Sequence, residues 1–326
     1  MNKIKICVIS HSNVHLRQIL FFKELSKHGE ILVISPQKWG SLKCNSVKDG
    51  NFEIFTDVVT NEGNMKSYCI SDKSIQRIFE FKPDLIYHQG ETYFFMANIC
   101  RELAKRINCK LVNFCWENIR KPPREEVSFL KECDLVIAGN SESQKLNNAD
   151  IVMPQVGIGT GLFCNKNIKK EYDVVYVGRE DVAKGTNYIK EAFPKTKFIS
   201  GIDYDDVPLE MNKSKLFVTY PYDTLYWIEQ FNYSIAEALA CEVPVICSNS
   251  GAIPQWYGNS GAVIIEQKNP NLLKEKISEM LSDYDKLSDL KKKGRKFVEQ
   301  NYSNKILAKK LFNIFKTLFM GDNLQQ

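Results

Sequence analysis

Arg179 and Lys184 stand five positions apart in VVYVGREDVAKGTNYIKEAF, residues 174–193, between an apolar β-branched run and a helical pattern that begins near Thr186. Gly178 closes the run, where a residue without Cβ lets the backbone turn tightly. Two cations beside a helix N-terminus suit a doubly charged anion such as a diphosphate, because the helix amides and macrodipole add to the fixed charges. Solvated surface cations are the alternative. Glu229 and Glu237 lie eight positions apart in YPYDTLYWIEQFNYSIAEALACEVPVICSNSGAIPQ, residues 220–255. A carboxylate accepts two hydrogen bonds and suits the vicinal hydroxyls of a ribose or hexose. Ser234-Ile-Ala-Glu237 also reads as a capping box, in which Glu237 returns to the first amide of its own helix. Both readings stay open on these residues alone. Glu242 is harder to place, since glycine with positive φ is common at a helix end and a carboxylate there opposes the helix dipole.

These groups need a scaffold, and the chain supplies apolar runs of four to seven residues separated by amphipathic segments. That alternation predicts parallel sheets covered by helices. Strands are expected at 3–9, 30–34, 84–88, 110–115 and 134–138, with helices near 14–28, 72–81 and 92–107. A second series follows at 173–177, 196–199, 215–219, 243–247 and 262–265. Two doubly wound halves result, with a boundary near the lysine-rich stretch 161–171. Residues 271–320 read as helical, ending in the amphipathic KILAKKLFNIFKTLF, whose apolar stripe must be buried somewhere, the first half being one option. In open α/β sheets ligands bind beyond the carboxyl ends of the strands. In the first half that rule selects His11, then His88, Gln89 and Glu91 of YHQGETYF, and Glu117 and Asn118 of CWENIRKPP. These polar groups are candidates to meet a hydroxyl-bearing ligand, a satisfied structural histidine being the alternative at His88.

VGRE…AKG followed by EQFNYSIAEALACEVPVICSNSGAIPQ resembles the GT-B glycosyltransferases, specifically the retaining family 4, with its Gly-Arg…Lys-Gly loop and Glu-x7-Glu motif. CDLVIAGNSESQKL, IVMPQVGIGTGLF and NFCWENIRKPP in the first half resemble further stretches of that family. The resemblance implies an α/β fold of two Rossmann-like, doubly wound parallel-sheet domains with a cleft between them. Residues 1–165, completed by the helix 304–320, would bind the acceptor, and residues 166–303 the nucleotide-sugar donor. Arg179 and Lys184 would hold the donor diphosphate, Glu237 the ribose, and Glu229 would face the transferred sugar, making Glu229, Arg179 and Lys184 the catalytic set. Gly178, Phe231, Asn232, Tyr233 and Ser234 would complete the donor site. The implied reaction is transfer from a UDP- or GDP-sugar, as co-substrate, to a hydroxyl of a glycan or lipid-linked acceptor, with retention. Fixed cations and amides would take the place of a metal, no cofactor is implied, and no protein nucleophile is required. The sequence departs from the family at Gln230, Asn232 and Glu242, where glycine is usual, at Gln255 in place of Glu, and at Gly159 in place of Asp. Glu242 and Gln255 motivate an alternative, a non-catalytic sugar-nucleotide-binding or scaffold subunit. A nucleotide-sugar epimerase is a weaker option because no clear acid/base pair is apparent.

Composition narrows the field. Hydrophobic residues make up 44% and charged residues 25% of 326, with no run approaching the ~20 apolar residues of a membrane span. MNKIKICVIS reads as a strand rather than a signal peptide, so a cytoplasmic protein is expected, with the inner membrane face as an option. Ten cysteines without a C-x-x-C spacing read as free, buried thiols, and four histidines without ligand spacing argue against structural zinc. A net charge of +5 spread along the chain is too weak to argue nucleic-acid binding. VGIGTG lacks the helix pattern a dinucleotide fingerprint needs, and DYDD at 203–206 reads as a solvated turn rather than a metal site. TYFFMANICRELAKR and LRQILFFKELSKH mix aromatics with cations; core packing is the expected reading, and peripheral membrane contact the alternative.

Overall fold

The computed structural model describes residues 3–320. The chain divides into two units, one holding the chain through Gly157 together with the chain from Asn304, the other Ile158–Ser303.

The first unit runs β1 (Lys5–Ile9), α1 (Leu16–Leu25), β2 (Glu30–Pro36), a small hairpin of β3 (Lys38–Trp39) and β4 (Leu42–Lys43), β5 (Val47–Asp49), β6 (Phe52–Asp57), α2 (Asp72–Phe81), β7 (Leu85–Gln89), α3 (Phe95–Ile107), β8 (Lys110–Cys115), α4 (Arg124–Glu132), β9 (Leu135–Ala138), α5 (Ser141–Asn147) and β10 (Ile151–Val152). Its eight-stranded sheet has the order β10-β9-β8-β7-β1-β2-β6-β5. All pairs are parallel except β5 with β6. Central strands such as β7 and β8 are buried nearly throughout, as a parallel sheet covered on both faces requires. β6 was not expected. Its FEIFTD alternates burial, and Glu53 accepts a bidentate pair from Arg77 of α2 at 2.7 and 2.8 Å, so a charged residue sits inside a strand.

The aromatic and cationic segments weighed as membrane faces are α3 and α1, and their apolar sides lie in the core. Met96, Ala97, Cys100 and Leu103 of α3 and Phe21 and Phe22 of α1 are buried. Fully burying a side chain of that size is worth about 1.5–3 kcal/mol, so these faces are taken. No helix among the described residues is long and apolar enough to cross a membrane.

The second unit runs β11 (Tyr172–Val177), α6 (Thr186–Ala192), β12 (Lys197–Ile199), α7 (Val207–Asn212), β13 (Ser214–Thr219), α8 (Tyr233–Ala240), β14 (Val245–Ser248), α9 (Ile253–Tyr257), β15 (Val263–Ile265), α10 (Pro270–Ser282) and α11 (Ser288–Asn301). Its five strands are all parallel in the order β12-β11-β13-β14-β15. Arg295 of α11 donates to the carbonyls of Ala240 (2.7 Å), Phe163 (2.6 Å) and Thr160 (3.1 Å), placing a cation at the C-terminus of α8. The last helix, α12 (Asn304–Met320), belongs to the first unit and packs on α1. Phe315 of α12 meets the Tyr87 ring edge-on at 5.2 Å, beneath the first sheet's centre.

All ten cysteines are free, and six of them are buried.

Candidate active site

In the second sheet the chain steps from β11 outward to β12 and then returns to the other side of β11 at β13. The carboxyl ends of β11 and β13 therefore carry diverging connections, which opens a crevice there. The loop after β11 supplies Gly178, Arg179 and Lys184, and the loop after β13 supplies Glu229.

Two local devices hold the first loop. Gly178 takes φ +149°, and the Tyr176 hydroxyl donates to the Arg179 carbonyl at 2.6 Å, leaving the Arg179 side chain exposed. Farther on, Asp181 caps a 3-10 turn over Val182–Lys184, and Gly185 follows with φ +67°. A Cβ on Gly185 would stand 1.8 Å from the Tyr220 carbonyl oxygen, so only glycine lets this loop seat against the chain after β13. Tyr222 N–H donating to the Ala183 carbonyl at 3.2 Å joins the two loops from the other side.

That seating brings Lys184 to Glu229. The ammonium lies 2.9 Å from Glu229 Oε2 and 4.3 Å from the centroid of the Trp227 ring. Glu229 is only 5% exposed, and its carboxylate also accepts from the Asn232 amide at 3.1 Å and the Gln230 N–H at 3.3 Å. An ammonium has three donors, so Lys184 retains capacity for an anion while holding Glu229 in place. The negative charge of Glu229, after burial, helps push the Tyr176 phenol well above its ordinary range.

α8 begins at Asn232, whose φ of +57° is one that asparagine tolerates better than most residues. Its carbonyl accepts from the Tyr257 hydroxyl at 3.1 Å. No side chain caps the helix, so its positive end is not neutralised from within. The capping box is not formed: Ser234 lies inside the helix and donates to Asn232 Oδ1 at 2.8 Å. Glu237 falls in the second turn rather than the first, is 2% exposed, and accepts from the Tyr204 hydroxyl at 2.7 Å. The Phe231 ring is packed among Tyr233, Trp256, Tyr257 and Tyr302. Glu242 adopts φ +57°, the backbone a glycine would take, and accepts from the Asn165 amide at 3.1 Å. Trp227 and Tyr204 carried no sequence signal, because an aromatic in a loop has no period that would mark it.

The first unit has its own switch point between β1 and β7, where His11, His88 and Gln89 gather. His88 is fully buried, its Nδ1 2.7 Å from Asn113 Oδ1, while its Nε2 has no partner. Burial lowers His88 to about 4 and His11 likewise to about 4, so both rings are neutral near pH 7. His11 sits among the rings of Trp39, Tyr68 and Phe94, with Nδ1 unpartnered. Gln89 donates to the Gln155 carbonyl at 3.3 Å and keeps Oε1 unpartnered. Glu91, 8% exposed, accepts from the Trp116 and Glu117 N–H groups at 2.7 and 3.0 Å through Oε1, while Oε2 has no partner. Burial raises this carboxyl to about 7, against the pull of those two amides. Glu117 instead closes its own turn, accepting from Ile119 and Arg120 N–H at 3.1 and 2.9 Å, and Asn118 is buried beside it. Orphaned buried acceptors are rare in native proteins, and their concentration at one sheet edge is what a hydroxyl-bearing ligand would satisfy.

Among the described residues no three His, Cys, Asp or Glu side chains gather as a metal site. Residues 166–297 match the family model of glycosyl transferases group 1. Spore coat protein SA of Bacillus subtilis is 29% identical over 121 residues, 36% of this chain and 31% of that protein. A GDP-mannose-dependent monoacylated alpha-(1-6)-phosphatidylinositol monomannoside mannosyltransferase of Corynebacterium glutamicum is 27% identical over 124 residues, 37% of this chain and 32% of that protein. Each match thus spans about a third of the curated relative's length. Among solved structures, sucrose-phosphate synthase from Thermosynechococcus elongatus superposes with a TM-score of 0.72 at 14% identity, over 98% of this chain and 100% of that one. HepE of Anabaena, in complex with UDP and glucose, gives 0.69 at 12% identity, over 97% and 100%. The fold of the chain is accordingly GT-B, and its residues 166–297 match the glycosyl transferases of group 1.

Proposed function

We propose that this protein is a retaining glycosyltransferase of the family 4 type, moving a sugar from a nucleoside-diphosphate sugar to a hydroxyl acceptor without a metal. The observation that carries the reading is the pair of half-buried Lys184 and buried Glu229, at 2.9 Å, beside the uncapped start of α8. In such a transfer the bond from the anomeric carbon to the diphosphate breaks, and negative charge grows on the leaving phosphate. Lys184, held by Glu229, and the α8 amides meet that charge as preorganised donors, with the exposed Arg179 side chain free to close on it; such stabilisation is commonly the largest single contribution to the rate. Glu229, held by Lys184 and Asn232, faces the sugar; Glu237 receives the ribose hydroxyls. The new bond forms on the face the diphosphate leaves, and a donor phosphate oxygen takes the acceptor proton. The unpartnered atoms of His11, His88, Gln89 and Glu91 support hydroxyl recognition in the first unit.

UDP- or GDP-sugars are the donors we favour, since HepE is solved with UDP-glucose and the Corynebacterium relative is named for GDP-mannose. Glu242 keeps the left-handed backbone that a glycine would supply, which supports an active enzyme over a scaffold subunit. A thermal-shift panel of UDP, GDP, ADP and dTDP with their sugars tests this, because a ligand selective for the folded state raises the melting midpoint. One nucleotide should stand out, and its sugar should be hydrolysed slowly without acceptor. Binding with no turnover under any condition would favour the scaffold reading instead.

A further inference from the structure

α12 turns one face inward, burying Leu307, Ala308, Leu311 and Phe315, and leaves the other to solvent. The solvent face carries Lys305, Lys309, Lys310 and Lys316, and residues 304–320 contain no Asp or Glu. At 3.6 residues per turn these four lysines fall within a sector of about 140° that also contains Ile306, Asn313 and Met320. Ile306 is 40% and Met320 49% exposed. Ile306 and Ile314 floor a shallow groove flanked by Lys309, Lys310, Asn313 and Thr317. Phe319, 43% exposed, extends the apolar surface at the helix's C-terminal end. On α1, which α12 packs against, Lys23 pairs with Asp49 and Glu24 with Lys27. Among the described residues the four lysines of α12 are in no ion pair.

We infer that α12 is a membrane-surface helix that seats the first unit on an anionic phospholipid bilayer. The charge identifies the occupant: a face of one sign calls for a surface of the other. The apolar floor between the lysines then separates a lipid interface from a plain polyanion. Lysine stems can lie along Ile306 and Ile314 while their ammonium groups reach headgroup phosphates, and Met320 and Phe319 fit the boundary with the acyl chains. A helix of this length lies about 25 Å along the surface and spans nothing. The inference is independent of the glycosyl-transfer reading.

Co-sedimentation of the full chain with phosphatidylcholine vesicles, with and without phosphatidylglycerol, tests it. Binding is expected only to the anionic vesicles, weakening with salt. Attraction of about 1 kcal/mol per lysine is about fivefold in affinity, so Lys309→Glu, Lys310→Glu and Lys316→Glu together should cost roughly a hundredfold. The charge-matched set Lys274→Glu, Lys292→Glu and Lys296→Glu in the second unit should bind as the parent does. Ile306→Ser with Met320→Ser keeps every charge and should also weaken binding, which covers the case in which the triple variant fails to fold. No binding to anionic vesicles would overturn the inference. So would equal loss in the control set, or a single-stranded RNA that competes fully and is indifferent to the Ile306 and Met320 changes.

Discussion

Lys184 Nζ stands 2.9 Å from Glu229 Oε2, so the cation assigned to the diphosphate and the carboxylate assigned to the sugar are one structural unit. Removing the lysine therefore does two things: it deletes the proposed phosphate ligand and loosens the carboxylate. Lys184→Ala should lower kcat/KM by a hundredfold or more, the usual cost of losing one preorganised electrostatic group. Glu229 keeps its bonds from Asn232 and Gln230, so circular dichroism should report an unchanged fold. Near-normal turnover would sink the assignment.

Tyr204 is the residue through which Glu237 can be probed without touching its charge. Tyr204→Phe deletes the hydroxyl 2.7 Å from Glu237 Oε1. A lost hydrogen bond to a buried charged group is worth about 1–3 kcal/mol, felt first in donor binding if Glu237 holds the ribose. KM for the nucleotide sugar should rise about tenfold while kcat changes little, because the ribose is bound equally in ground and transition states. A fall in kcat at constant KM would instead tie Tyr204 to the reacting sugar.

The first unit's buried groups pull stability in opposite directions as pH changes. Glu91 has its carboxyl raised from 4.5 to about 7, so its protonated form belongs to the fold. That contribution is present below pH 4.5 and is lost as pH rises through 7; the gap corresponds to roughly 3 kcal/mol. His88, lowered from 6.5 to about 4, does the reverse, stabilising above 6.5 and failing as pH falls toward 4. Glu91→Gln can still accept from the Trp116 and Glu117 amides but no longer titrates. Relative to the parent it should gain stability between pH 5 and 8, as followed by urea denaturation, and a pH-independent difference would mean that the carboxyl is already charged at pH 5.

Glu242 costs the protein stability for a backbone that glycine adopts freely. A left-handed residue with a Cβ is strained by about 1–2 kcal/mol, and a carboxylate near the end of α8 adds repulsion from the dipole. Glu242→Gly forfeits the Asn165 bond and some unfolded-state entropy, so a net gain of about 1 kcal/mol in urea denaturation is expected. Transfer activity should not change.

Much of the fold was legible because parallel strands announce themselves as short apolar runs, and every strand expected at the start is present within two residues of its place. β6 was missed because Glu53 interrupts its run, and only Arg77, 24 residues on, makes that tolerable. Position in the chain located Lys184 and Glu229, but not that they would pair, since nothing in the spacing shows that Gly185 seats one loop on the other. The capping-box alternative for Glu237 is not realised, because Asn232, two residues before Ser234, takes the N-cap with a left-handed turn. Long-range partners such as Tyr204 and Asn113 are fixed by topology rather than by local pattern.

The return of α12 to the first unit sets an order of events on the ribosome. Residues 158–303 form an uninterrupted unit and can complete their own core as soon as they emerge. The unit begun earlier must wait for Leu307, Leu311 and Phe315, which follow the second unit in the chain. Although domains usually mature from the amino end, here the earlier of the two units closes after the later one. In the interval Tyr87 and the α1 surface that α12 covers stay open to chaperones.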